Sequence, residues 1–127
     1  MDPISDMFIR IKNAQNAGHD TVQIPYSRMK HEIGRALERA GFTGKTERKG
    51  KRVKKFLEIV LIGGTEEPGV RGVRLISTPG RRIYMSYKGL RPAPRGGVLL
   101  LTTSKGIVSG GEARRDKVGG QLIAEIW

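Results

Sequence analysis

Apolar residues in this 127-residue chain keep the period of a helix only in two early segments. Elsewhere they alternate or bunch into short runs rich in strand formers. A chain patterned this way has to build a mixed α+β core, with helices gathered at one end of the sequence and strands dominating the other. No apolar run approaches the roughly 18 residues a membrane helix needs. The opening Met1-Asp2-Pro3-Ile4 also lacks the basic start and apolar stretch of a secretory signal. The expectation is a soluble, cytoplasmic protein.

Asp2 is placed to cap a first helix, with Pro3 at its first position, where a missing N–H costs nothing. Ile4, Met7, Phe8 and Ile11 follow at helical spacing, and Gly18 is a natural stop. Val22, Ile24 and Tyr26 alternate as a short strand, and Pro25 marks an edge or an end. Ser27 caps a second helix with an apolar stripe of Met29, Ile33, Ala36, Leu37 and Ala40, closed by Gly41. Residues 43–48 and 56–62 read as strands joined through Lys49-Gly50-Lys51-Arg52. The first half is thus αβαββ. Residues 63–69, Gly-Gly-Thr-Glu-Glu-Pro-Gly, form a loop by composition, which divides the chain into lobes at 1–64 and 65–127.

The second lobe is mainly β with one short helix. Strands are expected at 73–77 and 82–87, with a turn at Thr78-Pro79-Gly80 between them. Residues 91–97, rich in proline and glycine, cannot be regular structure. Residues 98–103 form an apolar strand that turns at Lys105-Gly106 into Ile107-Val108. Ser109 and Glu112 have the spacing of a capping box, predicting a helix to about Lys117. Gly119-Gly120 is expected to end it before a last strand at 121–127.

Charge narrows the function. Lys and Arg number 24 against 12 Asp and Glu, a net charge of +12. Such an excess repels itself unless a polyanion is near, and nucleic acid is the commonest one. An anionic membrane surface is the second candidate. The excess is also localised. Residues 45–55 hold seven basic residues and one acid, Glu47. Residues 68–111 hold no acid, yet carry Arg71, Arg74, Arg81, Arg82, Lys88, Arg91, Arg95 and Lys105. A solvated face usually mixes both signs, so a stretch of this length points to a polyanion.

Catalysis finds little to work with. There is no cysteine, which fits a reducing compartment and removes thiolate chemistry. His19 and His31 stand among polar or helical surroundings, no carboxylates are paired, and metal-ligand spacing is absent. Gly44-Lys45-Thr46 imitates the end of a phosphate-binding loop, but the required earlier glycine is Arg39 and the segment follows a helix rather than a strand. No catalytic residue, metal or cofactor is expected.

The richest polar segment is Thr102-Thr103-Ser104-Lys105-Gly106, three hydroxyls and an ammonium at a strand end. Hydroxyls donate and accept, so they can read base edges and ribose 2′-hydroxyls. Lys105 can neutralise a phosphate, and Gly106 lets the backbone turn. An ordinary hairpin corner favours the same residues. Gly119-Gly120 is either a helix C-cap or room for a nucleic acid strand. Tyr84 and Tyr87, in the acid-free stretch, suit stacking on an unpaired base or a half-buried place in a sheet.

The run Leu101-Thr102-Thr103-Ser104-Lys105-Gly106-Ile107-Val108, continued by Glu112-Ala113-Arg114 and Val118-Gly119-Gly120, resembles the signature of the bacterial family of small-subunit ribosomal protein eight. Asp2-Pro3-Ile4-Ser5-Asp6-Met7, Arg10-Ile11-Lys12-Asn13-Ala14, Pro25-Tyr26-Ser27, Pro79-Gly80-Arg81-Arg82-Ile83-Tyr84 and Trp127 are similar to the same family. The resemblance implies two α+β lobes and no enzymatic activity. It implies binding to the central domain of small-subunit ribosomal RNA, at an irregular stem read largely through its minor groove. Early assembly of the subunit, neighbouring small-subunit proteins, a monomeric free state, no membrane partner and repression of the protein's own operon mRNA are further implications.

Carried across, Thr102, Thr103 and Ser104 contact the RNA, and Lys105 and Gly106 support the turn. Gly119 and Gly120 allow close approach, Tyr84 meets a base or sugar, and Lys30 and Lys55 contact phosphates. The family usually has Ser at the position of Thr102 and Glu at that of Gln121. Gln121 keeps one acceptor oxygen for a guanine but loses the charge. The connection at 91–97 also departs from the family pattern.

Overall fold

The computed structural model describes residues 3–62, 69–91 and 96–127. Asp2 and most of the glycine-rich loop and of the 91–97 connection lie outside them, as does the boundary expected at 64/65. The chain divides into two compact units, Met1–Arg71 and Gly72–Trp127. Both are α+β, and the sheets are antiparallel throughout.

The first unit runs α1 (Pro3–Asn16), β1 (Thr21–Pro25), α2 (Arg28–Arg39), β2 (Thr43–Lys49) and β3 (Phe56–Leu61). Its sheet has the order β1-β3-β2. Helical periodicity places Met7, Phe8, Ile11 and Ala14 on the buried face of α1. Ile33, Ala36 and Leu37 do the same for α2, whose N-cap Ser27 accepts the Lys30 N–H at 3.1 Å. Leu57 and Ile59 alternate inward on β3 and complete this core with Ile24.

Three expectations change here. Ala40 is exposed as the C-cap of α2 rather than part of its buried stripe. Met29, in the first turn of α2, is exposed rather than part of the buried stripe. Tyr26 follows β1 instead of ending it; its N–H bonds the Lys55 carbonyl at 3.2 Å.

The second unit runs β4 (Val73–Leu75), β5 (Tyr84–Met85), a 3₁₀ turn (Tyr87–Gly89), β6 (Val98–Thr103), β7 (Gly106–Ser109), α3 (Gly110–Asp116) and β8 (Gly120–Ile126). Strand order is β4-β8-β6-β7, with β5 also pairing β8. The Ser109–Glu112 capping box is complete, and α3 lays Ala113 against Leu101, Val108 and Leu122 of the sheet.

The strand expected at 82–87 shrinks to two residues, because the Ser86 hydroxyl accepts the Lys88 N–H and turns the chain into the 3₁₀ segment. The Thr78–Arg81 turn forms as expected, with reciprocal backbone bonds of 2.8 and 3.0 Å. Gly119-Gly120 does not end α3. Lys117 does, in the left-handed conformation at φ 56°.

Candidate nucleic-acid interface

Strand register gathers residues that are far apart in sequence. Tyr84 of β5 stands directly opposite Gln121 of β8, and Gln121 stands opposite Thr102 of β6. Direct cross-strand partners point to the same face and lie within side-chain reach. Leu101 and Leu122 pack on the α3 side, so Tyr84, Gln121 and Thr102 form a row on the opposite face. Tyr84 is 69% exposed, which leaves its ring free for a stacking partner.

The row ends at a corner. Thr103 pairs with Gly106, and Ser104-Lys105 connects β6 to β7. Gly106 has φ 99°, while neither Ser104 nor Lys105 has positive φ. Two ordinary residues followed by a glycine in that region is a common hairpin closure. The Thr103 hydroxyl donates to the Gly106 carbonyl at 2.9 Å and accepts the Lys105 N–H at 3.1 Å. Its hydrogen is therefore committed to the turn, and Thr103 holds the corner.

Ser104 and Lys105 project from that corner, both exposed. Among the described residues the Ser104 hydroxyl has no protein partner. Asp116 feels the Lys105 ammonium, although its carboxyl is held below the usual range chiefly by the Arg115 hydrogen bond.

The paired glycines serve a purpose within the protein. A Cβ on Gly120 would collide with the Thr102 carbonyl, and one on Gly119 would sit 2.5 Å from the Met85 carbonyl. The space these glycines leave open is filled by the neighbouring strands of the same unit. The closeness they permit is that of β8 to β5 and β6, so the sheet row depends on them.

In the first unit, Lys55 is exposed. Lys30 is 8% exposed, and its ammonium donates to the Pro25 carbonyl at 3.4 Å. A phosphate contact by Lys30 would require that ammonium to swing away from the carbonyl.

One constellation escaped the reading of the sequence. Arg48 of β2 lies over the Tyr26 ring at 5.6 Å, and the Tyr26 and His31 rings meet edge-on at 6.0 Å. Arg35 donates from Nε to His31 Nε2 at 3.2 Å. The spacing of His31 and Arg35, one helical turn apart, was the only local clue; Arg48 arrives through the fold.

Among the described residues, no group of three or more His, Asp or Glu could hold a metal, and no helix is long and apolar enough to cross a membrane. Gly44-Lys45-Thr46 lies within β2, and Lys45 pairs with Glu47 at 2.9 Å.

Fold and surface together define a small, strongly basic α+β protein with an exposed polar corner at the end of a sheet. Residues 2–127 match the family model of ribosomal protein S8, and the chain belongs to that family. It is 43% identical to a small ribosomal subunit protein uS8 from Coprothermobacter proteolyticus, over 99% of this chain and 98% of that one. Proteins of the same name from Dictyoglomus turgidum and Sorangium cellulosum are 40% and 39% identical, each over 99% of this chain and 97% and 98% of their own lengths. The family is one of ribosomal proteins rather than enzymes, and it spans both units.

Proposed function

We propose that this protein is a structural constituent of the small ribosomal subunit in the cytoplasm. It binds the central domain of small-subunit ribosomal RNA early in assembly and sits among other small-subunit proteins. The observation that carries the reading is the exposed Ser104–Lys105 corner beside the Tyr84–Gln121–Thr102 row, all but Gln121 drawn from the acid-free stretch 68–111.

In this reading phosphate contacts position the protein and the polar row specifies the site. Lys105 and Lys55 neutralise phosphates. Ser104 and Thr102 bond 2′-hydroxyls or base edges across a wide minor groove, Gln121 reads a base edge, and Tyr84 stacks. Thr103 and Gly106 hold the turn, and Gly119-Gly120 hold β8 close to its neighbours. A stem of the same shape in the protein's own operon mRNA would meet the same surface and be repressed by it. The free protein is a monomer and needs no cofactor.

Competition between structured small-subunit RNA and duplex DNA tests the class. RNA is expected to win. With about five phosphates neutralised, log affinity should fall against log salt with a slope of roughly −3 to −4. A preference for DNA or a slope near zero would overturn the reading, and metal-dependent RNA cleavage by the pure protein would argue for an enzyme instead.

A further inference from the structure

We propose that Tyr26, His31, Arg35 and Arg48 form a second phosphate site on the first unit, which takes one phosphodiester of the RNA backbone. This rests on the RNA-binding reading above but uses none of the residues of the second unit.

The groups are supplied by separate elements. Helix α2 presents His31 and Arg35, strand β2 presents Arg48, and the segment after β1 presents Tyr26. Tyr26 is fixed by its backbone bond to Lys55; Arg48 lies over its half-buried ring, and the His31 ring meets that ring edge-on. Arg35 and Arg48 are exposed, and among the described residues neither is in an ion pair. Glu32 is the one acid acting on the His31 ring, against the two guanidinium groups Arg35 and Arg48.

Arg35, bonded to His31, and Arg48, seated over Tyr26, both disfavour the charged imidazole, after burial, which disfavours it most. The monoanionic phosphodiester, placed beside them, offsets that positive charge. Each guanidinium can offer hydrogen-bond donors beyond those used here, and a neutral His31 whose Nε2 accepts from Arg35 carries its proton on Nδ1. Tyr26 restrains the Arg48 side chain by cation–π contact, so less side-chain freedom is lost when an anion arrives. Lys30 does not join the site, because its ammonium is turned to Pro25.

The linkage has a definite sign. Burial first, then Arg35 and Arg48, hold the free His31 below its ordinary value. A phosphate offsets the two guanidiniums and raises it. RNA therefore binds more tightly as pH falls, by at most about tenfold per pH unit for one linked proton.

The test is the affinity of the full chain for naked small-subunit ribosomal RNA at pH 5.5 and 7.5, with wild type, His31→Gln, Arg48→Gln and Arg48→Lys. Wild type should gain several-fold more on acidification than His31→Gln. Arg48→Gln should weaken binding about three- to tenfold at pH 7.5 and reduce the salt slope by about 1, with most of the affinity restored by Arg48→Lys. His19→Gln should behave as wild type. If all variants bind RNA with the same pH response and salt slope, the second site is refuted while RNA binding stands. If wild type binds no RNA at either pH, the reading beneath it fails as well.

Discussion

The Thr103 hydroxyl bonds across its own turn to the Gly106 carbonyl at 2.9 Å, and this contact sets where Ser104 and Lys105 point. Thr103→Val keeps the shape and removes both bonds made by the hydroxyl. The freed partners are close to solvent, so the loss of stability should be modest, about 1 kcal/mol. A lower urea midpoint with an unchanged slope checks it. RNA affinity should fall with it, because the corner is no longer held.

Ser104 and Lys105 should separate by kind of effect. Ser104→Ala removes a hydroxyl with no protein partner, so stability should stay within about 0.5 kcal/mol of wild type. Specific RNA binding should weaken by about 1–2 kcal/mol, including the RNA group left unpaired. Lys105→Ala should lower affinity across sequences and flatten the salt slope by about 1. Parallel titrations with specific and unrelated RNA distinguish the two.

Gly120→Ala drives a methyl group into the Thr102 carbonyl, a backbone atom that cannot rotate aside. The strands must part, at a cost of roughly 2–4 kcal/mol. Thermal unfolding should show a clearly lower midpoint. Gly111→Ala, at a glycine with nothing within 4 Å, is the control and should change little.

Stability should also depend on pH through His31. Its folded value lies below the ordinary 6.5, with burial the largest cause and Arg35 and Arg48 adding to it. Between those two values the unfolded chain binds the proton and the folded one does not. The contribution is therefore complete above about pH 6.5 and is lost as pH falls through the folded value. Without RNA, His31→Gln should lose less stability than wild type between pH 7 and pH 5 in denaturant titrations.

Local chemistry made much of this fold legible. Ser27 and the Ser109–Glu112 pair announce their helices because a cap is a short-range device, and strands β3 and β6 carry their own apolar runs. Legibility ended where tertiary contact decides. Nothing local separates a glycine that stops a helix from Gly120, which admits the Thr102 carbonyl, and Lys117 takes the left-handed position that glycine would usually fill. Met29 has the spacing of a core residue but is exposed in the first turn of α2.

The site divides in the same way. The Thr102–Gly106 corner is contiguous and could be read directly. The Tyr84–Gln121–Thr102 row exists only through strand register. The Arg48–Tyr26–His31–Arg35 cluster depends on β2 meeting the start of α2, which no spacing in the chain reveals.

Hydroxyl-radical footprinting on naked small-subunit ribosomal RNA tests the RNA-binding role of the corner most directly. Wild type should protect a confined irregular stem in the central domain, and Ser104→Ala should need a several-fold higher concentration for the same protection. Protection spread evenly along the RNA, or a footprint indifferent to Ser104→Ala, would contradict it.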